Sequence, residues 1–127
     1  MAARVLIIDD NAPVRASLRT YFERAGYQVA EAEDGRAGLR LHAAAPADVI
    51  ITDIFMPGFD GIETIRELRR MAPGVKVIAM SGGDATGTIN MLGDAKLLGA
   101  DRAFHKPVQL RELLDAVREL LGADPPG

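Results

Sequence analysis

Two short runs, Val5-Leu6-Ile7-Ile8 and Val49-Ile50-Ile51-Thr52, limit the architecture more than anything else in the chain. Both are made almost wholly of Val, Leu and Ile, neither alternates with polar residues, and each leads directly into an aspartate, Asp9 or Asp53. A strand that is apolar on successive residues has both faces covered, which is the condition of a central strand in a parallel sheet. Parallel neighbours need long crossovers, and the intervening segments carry the helical period that such crossovers use. The aspartates then stand at the carboxyl ends of strands, where open α/β sheets form their sites.

The remaining elements follow in order. A helix starting at Asn11 or Ala12, with Pro13 near its first position, carries Val14, Leu18, Tyr21, Phe22 and Ala25 at helical spacing, and Gly26 stops it. Residues 27–32 read as a second strand, partly alternating and more exposed. Asp34-Gly35 starts a second helix through Leu39 and Leu41 to Ala45, closed by Pro46. After the Pro57-Gly58 turn, a third helix presents Ile62, Ile65, Leu68 and Met71 on one face and ends at Pro73-Gly74. Residues 75–80 form a fourth strand that ends at Ser81. A polar glycine-rich loop, 82–87, leads to a fourth helix at about 88–98, stopped by Gly99. Arg102-Ala103-Phe104-His105 is a short fifth strand, followed by Lys106-Pro107. The last helix, 109–121, has Leu110, Leu113, Leu114, Val117, Leu120 and Leu121 as its stripe. Five strands alternating with five helices predict an α/β fold, a doubly wound five-stranded parallel sheet with helices on both faces, and the order expected for it is the flavodoxin-like 2-1-3-4-5. One domain is expected over 1–122, a frayed tail over 123–127, and no output domain.

Composition removes several functions. A net charge of -3 argues against nucleic acid as a partner. Without cysteine there is neither a disulfide framework nor a thiolate metal site. No apolar stretch is long enough to span a bilayer, and Met1-Ala2-Ala3-Arg4 lacks a signal-peptide layout, so a cytoplasmic protein with no membrane partner is expected.

If the first and third strands are neighbours, as in the flavodoxin-like order, Asp9, Asp10 and Asp53 cluster at the switch point. Two like charges about 4 Å apart repel by roughly 4 kcal/mol at an effective dielectric near 20. A divalent cation removes that cost, and all-oxygen ligands of this kind suit Mg²⁺. The plainer role for Asp9 or Asp10 is to cap the first helix. A carboxylate can also attack phosphorus to give an aspartyl phosphate. Phosphoryl transfer then needs positive charge and donors nearby, which Lys106 and Ser81, at the tips of the fifth and fourth strands, can supply. Their plainer readings are a surface lysine and a turn serine. His42 and His105 are too few for a metal cluster or an oriented base, and Arg66, Arg69 and Arg70 read as a solvated face of the third helix.

Asp9-Asp10, the string Asp53-Ile54-Phe55-Met56-Pro57-Gly58-Phe59-Asp60-Gly61, Ser81 and Lys106-Pro107 together resemble the receiver domain of bacterial two-component response regulators, in the stand-alone form typical of chemotaxis receivers. The resemblance covers essentially the whole chain. It implies that Asp53 is the phosphoacceptor, and that Asp9, Asp10, Asp53 and the Phe55 backbone carbonyl hold Mg²⁺. It also implies that Ser81 and Lys106 contact the phosphoryl group, and that the Lys106–Pro107 peptide is cis, a form that X-Pro bonds adopt at low cost. The implied partners are a histidine kinase or phosphotransfer protein and a downstream protein target. Two departures bear on the switch. Ala103 stands where many receivers place a mobile aromatic, with Phe104 of opposite strand parity, and the loop after Ser81 is longer than usual.

Two other classes compete with a signalling receiver. A phosphatase working through an aspartyl phosphate wants a second acid just after its nucleophile, and the residue two places beyond Asp53 is Phe55. A flavodoxin-like flavin carrier wants a phosphate-cradling loop after the first strand, where Asp9-Asp10 would repel a phosphate.

Overall fold

A computed structural model of the chain describes residues 2–54, 61–81 and 99–122, with only the backbone at 61, 62 and 81. The elements are β1 (Arg4–Ile8), α1 (Ala12–Arg24), β2 (Gln28–Ala32), α2 (Gly35–Ala44), β3 (Val49–Asp53), α3 (Gly61–Met71), β4 (Lys76–Ser81), β5 (Arg102–His105) and α4 (Leu110–Leu120). Every strand pair is parallel, and the order is β2-β1-β3-β4-β5, as the sequence predicts. Four helices stand among the described residues. The fourth helix expected at about 88–98, the Pro57-Gly58 turn, the loop 82–87 and the tail 123–127 lie outside them.

The uninterrupted apolar runs become the centre of the sheet because both of their faces are covered. Leu6, Ile8, Ile50, Val77 and Ala79 point to one side, where Ile65 and Leu68 of α3 pack with them. Val5, Ile7, Val49, Ile51, Ile78 and Met80 point to the other, against Leu18 and Phe22 of α1 and Leu113 and Val117 of α4. Side chains of successive strand residues alternate between faces. The same rule puts Ala103 in the first layer and Phe104 in the second, so the aromatic ring of β5 lies on the α1/α4 side of the sheet.

Local chemistry fixes where the helices begin. The Asn11 side chain accepts a hydrogen bond from the Val14 amide at 3.0 Å, and Pro13 sits in the first turn of α1. Asp34 caps α2 in the same way, accepting from the Ala37 amide at 2.8 Å. Each such cap stabilises by about 1 kcal/mol. Gly26, with φ +99°, turns the chain out of α1 in a conformation that side chains resist.

Two helix faces differ from expectation. Met71 is 47% exposed. It lies six residues beyond Ile65, roughly 120° around the helix, and Ala72, four beyond Leu68, takes the inward place. In α2 the buried face is Gly35, Gly38 and His42, while Leu41 is exposed. Gly38 lies so close to β1 that an added Cβ would collide with the Cδ1 of Ile8 and stand 2.8 Å from its Cγ1. The inward position one turn on belongs to His42, whose Nδ1 accepts the Ala47 amide at 3.0 Å. Burial pushes the His42 pKa below that of a free imidazole.

Candidate functional site

The register pairs Ile8 with Thr52, so β1 and β3 end side by side and deliver Asp9 and Asp53 to one place. Asp9, Asp10 and Asp53 each offer a carboxylate oxygen, all within 4.8 Å of one another. Asp9 is fully buried and Asp53 is 5% exposed, while Asp10 is open to solvent. Asn11, not an aspartate, is the N-cap of α1. The capping role weighed for Asp9 or Asp10 is therefore taken by their neighbour, and both carboxylates remain with the cluster.

Lys106, directly after β5, reaches across the tip of β4. Its ammonium donates to Asp9 Oδ2 at 2.8 Å and to Asp53 Oδ2 at 3.1 Å. Burial works against the charged ammonium, but the hydrogen bonds and charges of Asp9 and Asp53 outweigh it and hold the Lys106 pKa above the ordinary lysine value. The other oxygen of Asp9, Oδ1, accepts the Asn11 amide at 2.9 Å. The Lys106–Pro107 peptide is cis, as the resemblance implies.

Ser81 ends β4 opposite His105 in the β4–β5 register, which puts its backbone at the same edge of the sheet. Its side chain and the Phe55 carbonyl lie outside the described residues. His105 is exposed and makes no part of the cluster. Three carboxylates converging on one point, two of them buried, are a hard-oxygen donor set that fits Mg²⁺. The cluster lies at the carboxyl edge of the central strands, next to a lysine that already carries part of the compensating charge.

Two arginines have roles that the sequence did not reveal. Arg15 donates through Nη1 to the Asp9 backbone carbonyl at 2.7 Å and through Nε to Glu31 of β2 at 3.1 Å. Arg19, one turn on, holds the other Glu31 oxygen at 2.7 Å. Hydrogen bonds from Arg19, and then Arg15, hold the Glu31 carboxyl below the usual range despite partial burial. The sequence signal was an i,i+4 arginine pair on α1 and the one acid of β2. Arg69 was expected on a solvated face with Arg66 and Arg70. Those two are exposed, but Arg69 donates to the carbonyls of Gly99, Pro73 and Val75 and to Asp101 Oδ2. Asp101 Oδ2 also accepts the Val77 amide at 2.8 Å, so the pair ties α3 to the start of β4 and the approach to β5.

Residues 5–118 match the model of the response regulator receiver domain. The chain belongs to this family. Among curated receiver proteins it is 33% identical to sporulation initiation phosphotransferase F of Bacillus subtilis, over 95% of each chain. It is 37% identical to response regulator MprA of Mycolicibacterium vanbaalenii, where 95% of this chain covers 51% of the relative, so the chain spans about half the length of MprA. Among solved structures, a receiver domain from Clostridium thermocellum superposes with a TM-score of 0.86 at 29% identity, covering 94% of each chain. A CheY-like receiver from Methanospirillum hungatei gives 0.88 at 28% identity, covering 96% of this chain and 95% of that one. Receiver domains work in two-component signalling with histidine kinases or phosphotransferases, and generally bind Mg²⁺ at an acidic pocket. Among the described residues no helix is long and apolar enough to cross a membrane.

Proposed function

We propose that this receiver accepts a phosphoryl group on Asp53 from a histidine kinase or phosphotransfer protein, in a Mg²⁺-dependent reaction, and signals through contacts with a downstream protein. The observation that carries the reading is the convergence of Asp9, Asp10 and Asp53 within 4.8 Å, with Lys106 bonded to two of them. An Asp53 oxygen attacks phosphorus and forms the new P–O bond. The P–N bond of the donor phosphohistidine breaks, and its electron pair returns to the ring nitrogen. Asp9, Asp10, Asp53 and the Phe55 carbonyl would hold Mg²⁺, which supplies positive charge to the phosphoryl oxygens. Lys106 adds a second cation. It stands 3.1 Å from the nucleophilic carboxylate and can follow the charge onto the phosphoryl group. Ser81 supplies a hydroxyl donor from the end of β4. The chain assists its own phosphorylation and dephosphorylation and turns over no metabolite.

Phe55, in place of an acid two residues past Asp53, disfavours the phosphatase reading, and the acid pair after β1 disfavours a flavin carrier. The test is intact mass after incubation with a small acyl phosphate. One phosphoryl group is expected with Mg²⁺ and none with a chelator. Labelling indifferent to Mg²⁺ contradicts the proposal.

A further inference from the structure

We infer that Arg15, fixed by Glu31, is a positioning residue for the acid cluster, holding the peptide that joins Asp9 to Asp10 in the orientation that Mg²⁺ requires. The inference rests on the metal site proposed above and adds to it a part contributed by α1 and β2. The Asp9 carbonyl belongs to the peptide between the two acids. Its carbonyl accepts Arg15 Nη1 at 2.7 Å, and the same guanidinium is anchored through Nε to Glu31 at 3.1 Å. Glu31 is itself held on its second oxygen by Arg19 at 2.7 Å. The Asp9 amide, on the other side of the same residue, donates to the Ala32 carbonyl at 3.1 Å, so both supports of Asp9 come from β2 and the helix packed on it. With its carbonyl and amide both tied, Asp9 has little freedom to rotate, and the exposed Asp10 that follows is aimed by the same peptide. A planar guanidinium that bridges two acceptors does this in a way that an ammonium cannot.

Charge and positioning predict opposite effects, which makes the inference testable. Arg15 is a cation beside a cation site. If it acts only through charge, its removal makes the site more negative and tightens Mg²⁺ binding. If it positions the peptide, its removal weakens binding, by about 10-fold on the scale of outer-shell partners of metal ligands. The experiment is calorimetric titration of the chelator-treated chain with Mg²⁺, for wild type, Arg15→Met and Arg15→Lys, with circular dichroism melts to establish that each is folded at the titration temperature. Weaker binding in Arg15→Met, with Arg15→Lys also weakened although its charge is kept, is the expected result. Tighter binding in Arg15→Met, with Arg15→Lys like wild type, overturns the inference in favour of charge alone. Equal affinities in all three also overturn it and leave the metal site standing. A wild-type chain that takes up no Mg²⁺ overturns the metal site, and this inference with it. Should Arg15→Met not fold, Arg15→Lys against wild type decides between the two outcomes.

Discussion

Lys106→Met in the metal-free chain is the most informative single perturbation of the cluster. The substitution keeps the aliphatic stem and removes the cation from two carboxylates, at 2.8 and 3.1 Å. At those separations each attraction has a gross value of about 5–6 kcal/mol at an effective dielectric near 20. Most of it is offset by the cost of taking the ammonium out of water. Breaking a buried pair from one side costs a net of about 3–5 kcal/mol, because the surviving charge is left buried. The Lys106 side chain keeps 20% of its surface exposed, while that of Asp9 is fully buried and that of Asp53 nearly so. That exposure puts the loss at the lower end, about 3 kcal/mol. For a domain of this size the loss corresponds to a fall in Tm of about 11 °C. Mg²⁺ should then matter more to the variant than to wild type, because the competing ammonium is gone. At a concentration 100 times its Kd, Mg²⁺ contributes about 2.7 kcal/mol and returns most of the loss. Thermal melts followed by circular dichroism, in chelator and in Mg²⁺, read both quantities. A variant that melts with wild type in chelator and gains no more than wild type from Mg²⁺ would refute the assignment of Lys106 as the counter-cation of this cluster.

Other expectations follow from contacts away from the cluster. Arg69→Met strips donors from three carbonyls and from Asp101, and should cost about 2–4 kcal/mol in urea unfolding, whereas Arg66→Met and Arg70→Met should stay within about 0.5 kcal/mol of wild type. Gly38→Ala drives a methyl group against the buried Ile8 and should destabilise by about 1–3 kcal/mol despite alanine's better helix propensity, with Ile8→Val added on top recovering part of the loss. His42 is buried and its pKa is lowered, so the unfolded chain binds the proton first. Stability should therefore be level above the ordinary imidazole value of 6.5 and fall as the pH drops below it. Between that value and about pH 5, His42→Asn should flatten the fall, and an unchanged slope would contradict the role given to His42.

The sheet was legible because burial on both faces leaves a pattern that few other structures produce. Val5–Ile8 and Val49–Ile51 show no polar interruption, and the acids that follow mark the strand ends that meet at the switch point. Asn11 and Asp34 were readable as helix starts because a cap acts within three residues of itself. What was missed acts over distance. Arg69 bonds to residues 30 and 32 places away, and Arg15 to one 16 places away. Periodicity reports which face a residue occupies, not what a long side chain meets there. His42 was passed over as an isolated imidazole because its partner, the Ala47 amide, becomes available only where the chain leaves α2. Met71 was misplaced because repeated steps of three residues drift off a helical face that mixed steps of three and four keep.

Chemical trapping identifies the phosphoacceptor, which is expected to be Asp53. Borohydride reduces an aspartyl phosphate to homoserine, which marks the residue covalently. After treatment with a small acyl phosphate and Mg²⁺, peptide mapping should find homoserine at position 53 and nowhere else, with Asp53→Asn unlabelled. Homoserine at position 9 or 10, or equal labelling of Asp53→Asn, would contradict the account.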